Sequence, residues 1–143
     1  MEIGATEKGK LGELYVFSKL IEKGAMPFLP IADVSDVDAV VRKKDETYVE
    51  IQVKSTWPPE QAGYINVPDL NVRRDLFIVG LIYANLPGLI EEMPEAWIIP
   101  SDVFEANTTE RRLLGLGLGV TKHEKNLREK LADYCEAWHL LTG

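Results

Sequence analysis

Two neighbouring segments of the sequence place carboxylate, amide and ammonium groups at every second position. The first segment contains Asp36 and Asp38, and the second, after a short polar turn, contains Glu50, Gln52 and Lys54. Side chains of a β-strand alternate between its faces, so each set should share one face, with neighbours about 6–7 Å apart. An antiparallel hairpin through the turn would bring Asp38 beside Gln52 and Lys54.

Such groups are suited to the hydrolysis of a phosphodiester bond. Carboxylate and amide oxygens are ligands that Mg²⁺ prefers in proteins. The ion can generate or orient a hydroxide and stabilise negative charge on the phosphate. A cation such as Lys54 can stabilise the same charge and contact a phosphoryl oxygen. Glu13 could complete the ligand set, either directly or through water.

The element that must position Glu13 is a predicted first helix, from about Glu7 to Lys23, which Gly24 can end in a left-handed conformation. At about 100° per residue its apolar residues fall on one arc, and Glu13 lies near the middle of that arc. These residues are Leu14, Val16, Phe17, Leu20 and Ile21. We therefore expect the Glu13 carboxylate to face the core or a cleft, although it could also extend to water.

Alternating and apolar patterns predict the strands of a sheet. They run through about Met26–Ile31, Val37–Arg42, Thr47–Lys54, Tyr64–Val67, Asp75–Ala84 and Trp97–Ile99. Pro27 and Pro30 indicate that the first strand lies at an edge of the sheet. The strongly apolar segment Asp75–Ala84 indicates a buried central strand.

The remaining elements are two helices and a loop. Ser101 can cap a short helix that ends near Glu105. Thr121 and Glu124 fit a capping box at the start of the last helix. Apolar residues then follow at helical spacing and should pack on the sheet: Leu127, Leu131, Tyr134 and Trp138. The glycine-rich segment Gly115–Gly119 lacks the Lys-Ser/Thr ending of a phosphate loop, so we expect an ordinary loop.

Length and composition indicate one cytoplasmic domain over residues 1–143. The chain is long enough for a sizeable core, and its longest apolar runs are too short to span a membrane. The N-terminus lacks a signal-peptide pattern, and the single cysteine, Cys135, cannot form an internal disulfide. The net charge of −7 argues against a broad nucleic-acid footprint, which is usually basic.

The sequence has a glutamate on the first helix and an aspartate at the start of a strand. On the next strand an acid or amide is followed by any residue and then by lysine. This pattern resembles the PD-(D/E)XK nuclease superfamily. The residues are Glu13, Asp38, Gln52 and Lys54, and the resemblance covers roughly Gly9–Thr56. It is to small archaeal and bacterial members, those like Holliday junction resolvases or homing endonucleases. It implies a restriction-endonuclease-like three-layer α/β/α fold with a central mixed sheet, an N-terminal helix and a long C-terminal helix.

The resemblance also implies roles and partners. Asp38 would be the metal-binding aspartate, Gln52 would occupy the acidic position, Lys54 would be the catalytic lysine and Glu13 the helix glutamate. The carbonyl of Val53 would be a further metal ligand. The implied activity is a Mg²⁺-dependent endonuclease, with Mn²⁺ as a substitute, that cleaves nucleic acid through a metal-activated water. We expect DNA as the substrate and a homodimer, because two sites are needed to cut both strands.

Departures from the family pattern keep two other readings open. Gln52 supplies a neutral carbonyl where Asp or Glu is usual, so metal binding should be weaker unless Glu50 or Glu13 compensates. Val37 stands where the family has proline, and a proline-rich segment replaces the usual helix after the lysine strand. The alternatives are a catalytically weak or inactive nuclease-fold module for binding or assembly, and an unrelated α/β protein.

Several other residues could contact nucleic acid. Lys8 and Lys10 lie on the turns before Glu13, and Trp57 and Tyr64 follow Lys54 and could stack on bases. Core packing is at least as plausible for both aromatic residues. The arginine pairs could contact phosphates but are more often a solvated face: Arg73–Arg74 and Arg111–Arg112.

Overall fold

A mixed five-stranded sheet is the centre of the computed structural model, which describes residues 3–32, 36–59, 62–84 and 93–143. The strands of the chain are β1 (Met26–Phe28), β2 (Ala39–Arg42), β3 (Tyr48–Thr56), β4 (Tyr64–Asn66), β5 (Leu76–Ile82), β6 (Glu95–Pro100) and β7 (Leu113–Gly115). The large sheet has the order β1-β2-β3-β5-β6, and β4 and β7 form a separate ribbon. In the large sheet β3 and β5 run parallel, whereas the other pairs are antiparallel.

Separate hydrophobic layers cover the two faces of the sheet. The helices are α1 (Ala5–Glu22), α2 (Ser101–Ala106), α3 (Lys122–Lys130) and α4 (His139–Thr142). One core contains Val16 and Leu20 of α1 together with Leu141 of α4. The other contains Phe104 of α2 and Leu127 of α3, together with the β4–β7 ribbon. This arrangement confirms the predicted α/β fold with a central mixed sheet.

Strand β3 follows the alternation predicted from its sequence. Val49, Ile51 and Val53 are buried on the α1 side of the sheet. The residues between them lie on the opposite face, where Gln52 is the buried polar member. Strand β5 lies between β3 and β6 and is buried over most of its length, so the predicted central strand is confirmed.

The first helix is confirmed as α1, although its buried face is narrower than the predicted arc. Val16 and Leu20 are fully buried, whereas Leu14 and Ile21 are each 55% exposed. The exposed pair lies at one edge of the arc, outside the contacts that α1 makes with β3 and β1. Glu13 lies inside the buried part of the arc, and its side chain is 22% exposed.

The single long C-terminal helix predicted through Trp138 is wrong. The chain folds instead as α3, a 3-10 turn at Ala132–Tyr134 and the short α4. Leu131 packs on the side of the β4–β7 ribbon, whereas Trp138 packs on the α1 side. Between them the chain passes the β6 edge, where the Glu136 amide donates to the Ala96 carbonyl at 2.7 Å and the Glu136 carboxylate accepts from the Ala96 amide at 2.6 Å. A continuous helix cannot pack on both faces of one sheet.

Two smaller predictions are also wrong. Ser101 is the first residue of α2 and not its cap, because its hydroxyl instead donates to the Arg73 carbonyl and accepts from the Arg73 amide. Gly115 belongs to β7, which pairs with β4. That pairing joins segments far apart in sequence, so no local pattern indicates it.

The start of α3 confirms half of the predicted capping box. The Thr121 hydroxyl accepts from the Glu124 amide at 3.2 Å. The Glu124 carboxylate accepts from the Val120 amide at 3.0 Å, one residue before the expected position, and from the Tyr64 hydroxyl at 2.8 Å. These bonds lower the pKa of Glu124 from 4.5 to about 2, with the Tyr64 hydroxyl as the largest cause. Within the described ranges, none of the helices has both the length and the apolarity needed to cross a membrane.

Glu124 should therefore make folding stability depend on acid pH. A carboxylate whose pKa is lowered in the folded state adds stability above its unfolded pKa and loses it as the pH falls. The wild type should lose this contribution between about pH 4.5 and 2, whereas Glu124→Gln should lack it. Denaturant unfolding across this pH range measures the difference. Glu129→Gln, exposed on the same helix, is the control; equal pH profiles for wild type and Glu124→Gln would contradict this account.

Candidate metal centre

The Asp38 carboxylate is fixed where β2 begins and β3 runs past it. Its Oδ2 accepts a hydrogen bond from the Val53 amide at 2.7 Å. The Asp38 amide donates to the carbonyl of Ile51, the residue that also pairs with Ala39, at 2.8 Å, so this bond holds Asp38 at the start of β2. The amide and carbonyl of a strand residue point to the same side of the strand, so the Val53 carbonyl also faces this end of β2. The structure thus places Asp38 near the end of β3, as the hairpin predicts.

The surroundings of Asp38 favour a positive partner. Burial raises the pKa of Asp38 above its usual value, because a charged carboxylate loses hydration there. The Val53 amide and the positive charges of Lys54 and Lys10 oppose this increase in the pKa. A divalent cation at the carboxylate would act in the same direction as the two lysines.

Gln52 brings a neutral oxygen to the same face of the sheet. The β2–β3 register ends where Ala39 pairs with Ile51, so Gln52 is the first residue of β3 beyond the last pair, at the end of β2 that Asp38 precedes. Gln52 is only 6% exposed and pairs with Ile78 of β5 on its other side. Its buried Oε1 accepts no hydrogen bond from any residue that the structure describes. An acceptor buried in this way costs free energy unless it gains a partner, and a metal ion is one such partner.

Helix α1 packs closely against β3 at the residue before Glu13. A Cβ on Gly12 would lie 2.0 Å from the Ser55 hydroxyl oxygen, so only glycine lets the helix approach this closely. On the next residue the Glu13 carboxylate pairs with the Lys10 ammonium at 3.5 Å. The Lys10 charge also opposes the rise in the pKa of Asp38, so this lysine interacts with both carboxylates.

Lys54 is the cation nearest in sequence to the Val53 carbonyl. It lies two residues after Gln52 on the same face of β3 and pairs with Gly80 of β5. Its charge acts on Asp38, as the pKa of that carboxyl indicates. Among the described residues, Lys54 forms no ion pair with a carboxylate. Its ammonium is therefore available to an anionic ligand.

The donor set fits a hard cation held with few carboxylates. In the described part of the chain, no three His, Cys, Asp or Glu side chains lie close enough together to hold a metal. The oxygens that the strands place at this end of β2 and β3 are the Asp38 carboxylate, the Gln52 amide oxygen and the Val53 carbonyl. Mg²⁺ is typically held by one or two carboxylates and keeps several waters or phosphate oxygens, so this set fits Mg²⁺.

Arg73 is the functional neighbour that sequence reasoning missed. Its guanidinium donates to Asp36 at 2.7 Å through Nη1 and to Glu50 at 3.0 Å through Nε, with a second bond to Glu50 from Nη2. Its backbone is held in turn by the Ser101 hydroxyl. Because Arg73 already binds Glu50, that carboxylate is not free to compensate for the neutral Gln52. From the sequence, the neighbouring Arg73 and Arg74 indicated only a solvated face that could contact phosphates.

No protein-family model matches this chain, and no curated protein matches it significantly. Among solved structures, the chain is similar to a bacterial homing endonuclease, I-Ssp6803I, with a TM-score of 0.64. The alignment covers 96% of this chain and 91% of that chain, at 22% sequence identity. At this identity the likeness establishes the fold alone: the chain has a nuclease-like α/β fold.

Arg73 should stabilise the fold through its bonds to Asp36 and Glu50, whereas the adjacent Arg74 should not. Arg73→Ala leaves Asp36 and Glu50 without their shared partner, which should lower the free energy of unfolding by about 1.5–3 kcal/mol. Arg74→Ala is the matched control, because Arg74 is exposed; it should change stability by less than about 0.5 kcal/mol. Equal effects of the two substitutions in denaturant unfolding would contradict the role given to Arg73.

Proposed function

We propose that this chain is a Mg²⁺-dependent endonuclease that hydrolyses phosphodiester bonds in DNA. The observation that carries the proposal is the position of Asp38 and Gln52 at the same end of the β2–β3 pair. A half-buried carboxylate fixed by the Val53 amide lies at the start of β2, and β3 carries a buried amide oxygen and a lysine that have no partner among the described residues. A catalytic site needs such groups fixed before the substrate arrives.

Each residue of the proposed site has a separate role. Asp38, the Gln52 amide and the Val53 carbonyl would hold the ion, and Mn²⁺ would substitute for Mg²⁺. A bound Mg²⁺ would supply a Lewis acid that polarises the phosphate and makes water a better nucleophile at neutral pH. Lys54 would contact a phosphoryl oxygen and stabilise the charge that develops on it. Glu13 would act through water and hold Lys10 beside the site.

Two further features support action on both strands of DNA by a homodimer. Strand β1 is an edge of the sheet, and its Met26 and Phe28 are 42% and 49% exposed. An apolar edge strand can pair with the same strand of a second copy around a two-fold axis. The nuclease-like fold is compatible with a nucleic-acid substrate.

Removal of Asp38 should abolish cleavage, and removal of Lys54 should strongly reduce it, without unfolding the protein. Asp38→Ala removes the only carboxylate that the Val53 amide fixes at the site, so no metal-dependent cleavage of single-stranded, duplex or branched DNA should remain. Lys54→Ala removes one preorganised cation and should lower kcat roughly 100- to 1000-fold. Gel assays with Mg²⁺, together with circular dichroism spectra, measure cleavage and folding.

Charge-matched controls separate the site from general charge effects. Asp133→Asn changes an exposed residue near the opposite edge of the sheet, and Lys125→Ala changes an exposed residue on α3. Both variants should cleave like the wild type. If the folded wild type cleaves neither single-stranded, duplex nor branched nucleic acid and binds no metal at millimolar concentration, the inactive binding-module reading replaces this proposal.

The neutral Gln52 should limit metal affinity. Gln52→Glu adds a negative charge to the proposed ligand set, so Mg²⁺ should bind several-fold more tightly, because ligand charge tunes the affinity of such sites. Isothermal titration with Mg²⁺ measures the change, and Asn126→Asp, exposed on α3, controls for overall charge. An unchanged Kd for Gln52→Glu would remove Gln52 from the ligand set.

A further inference from the structure

A cleft of about 360 Å³ opens beside the proposed metal centre, between the first turns of α1 and the end of β3. Its walls include Lys8 and Gly9 of α1 and Lys54 and Ser55 of β3. Trp57, just past the end of β3, forms another wall. The sequence indicates Lys8 and Trp57 as separate candidates for nucleic-acid contact, and the fold brings them into one cavity with Lys54.

Gly9 is the residue that keeps this cleft open. It lies four residues before Glu13 and seven before Val16, so it shares the inward face of α1 with them. A Cβ on Gly9 would nevertheless meet no heavy atom within 4 Å. Glycine inside a helix lowers stability relative to alanine. The helix therefore carries a destabilising residue at an exposed position on the cleft wall, where a larger side chain would fit.

The charge of the cleft is opposite to the charge of the chain. The net charge is −7, yet the described residues of the cleft walls include two lysines, Lys8 and Lys54, and no carboxylate. Neither lysine forms an ion pair with a described carboxylate. A cavity with unpaired cations and no acid in its lining is suited to an anionic ligand such as a phosphate group.

Trp57 adds an aromatic wall and an unused donor. Its indole stacks on the Tyr83 ring, with centroids 3.5 Å apart and planes 10° from parallel, so one indole face is covered. Its buried Nε1 has no hydrogen-bond acceptor among the described residues, and the buried Ser55 hydroxyl likewise has no described partner. A nucleobase offers a flat ring and hydrogen-bond acceptors, and its phosphate offers negative charge.

We propose that this cleft binds one unpaired nucleotide of the substrate strand. The nucleotide would lie next to the phosphodiester bond at the metal centre, and in this respect the inference rests on the proposed function. The phosphate contacts Lys8 and Lys54, and the base lies against Trp57.

This assignment restricts the class of substrate. A base inside a duplex is stacked on both faces and paired on its edge, so it cannot enter a cavity between a helix and a strand. Single-stranded nucleic acid, or an unpaired nucleotide at a branch or a gap, can enter it. The preferred substrates are therefore single-stranded or branched, and an intact blunt duplex binds more weakly.

The test measures binding without metal, so it does not depend on hydrolysis. Fluorescence anisotropy in EDTA would follow a labelled single-stranded oligothymidylate and a blunt duplex of the same length. Gly9→Met fills the cleft and should retain or gain thermal stability, while binding of the single strand weakens roughly 5- to 150-fold, the range for loss of one stacked base. Ser18→Met, exposed on the same helix, is the matched control and should bind like the wild type.

Two further measurements identify the chemistry of the ligand. Lys8→Gln should reduce the dependence of log K on log salt concentration by about 0.7, the value for one lost phosphate contact on a single strand. Lys125→Gln on α3 should leave that slope unchanged. Thymidine 5′-phosphate should compete with the oligonucleotide more strongly than inorganic phosphate does.

The outcomes separate this inference from the proposed hydrolysis. If Gly9→Met and Ser18→Met bind the single strand equally, or if inorganic phosphate competes as well as thymidine 5′-phosphate, the nucleotide site is overturned. If the binding results hold but the wild type cleaves nothing with Mg²⁺, the nucleotide site stands and the proposed hydrolysis fails. Cleavage that is unaffected by Gly9→Met overturns the nucleotide site and leaves the hydrolysis intact.

Discussion

The hydrogen bond from the Val53 amide to the Asp38 carboxylate holds together the part of the fold on which the proposed chemistry depends. It forms where β2 begins and β3 continues, so it takes the place of a missing ladder bond. It fixes the carboxylate on the face that also carries Gln52 and Lys54, and it leaves the Val53 carbonyl facing the same end of β2. Without it, Asp38 would be an ordinary turn residue before a strand.

The groups around this bond are arranged at a cost to stability, which is typical of functional sites. Burial raises the pKa of Asp38, and Gln52 buries an oxygen without a described protein donor. Gly9 places glycine within a helix at a position with open space. Arg73 offsets part of this cost, because its guanidinium binds the Asp36 and Glu50 carboxylates. Asp38 is then the carboxylate of these two segments that is left for the metal.

The sequence predicts those features that depend on local periodicity. The alternation of β3, the apolar run of β5 and the Thr121 cap appear in the structure because each is set by neighbouring residues. The sequence does not predict features that are set by tertiary contacts. The C-terminal helix is interrupted because the chain crosses the β6 edge at Glu136, from one face of the sheet to the other. The exposed Leu14 and the two-carboxylate role of Arg73 likewise depend on which elements pack nearby. The common face of Gln52 and Lys54 on β3 and the position of Asp38 at the start of β2 were predictable from spacing, whereas the roles of these residues are a proposal.

A crystal structure of the chain with Mn²⁺ tests the central claim most directly. Anomalous scattering would locate the ion without reference to activity. The proposed site predicts one peak within coordination distance of the Asp38 carboxylate and the Val53 carbonyl, with the Gln52 Oε1 as a ligand, at about 2.0–2.4 Å from the oxygens. A structure at millimolar Mn²⁺ in which no ion contacts Asp38, and in which the Lys54 ammonium pairs with its carboxylate instead, would contradict the account.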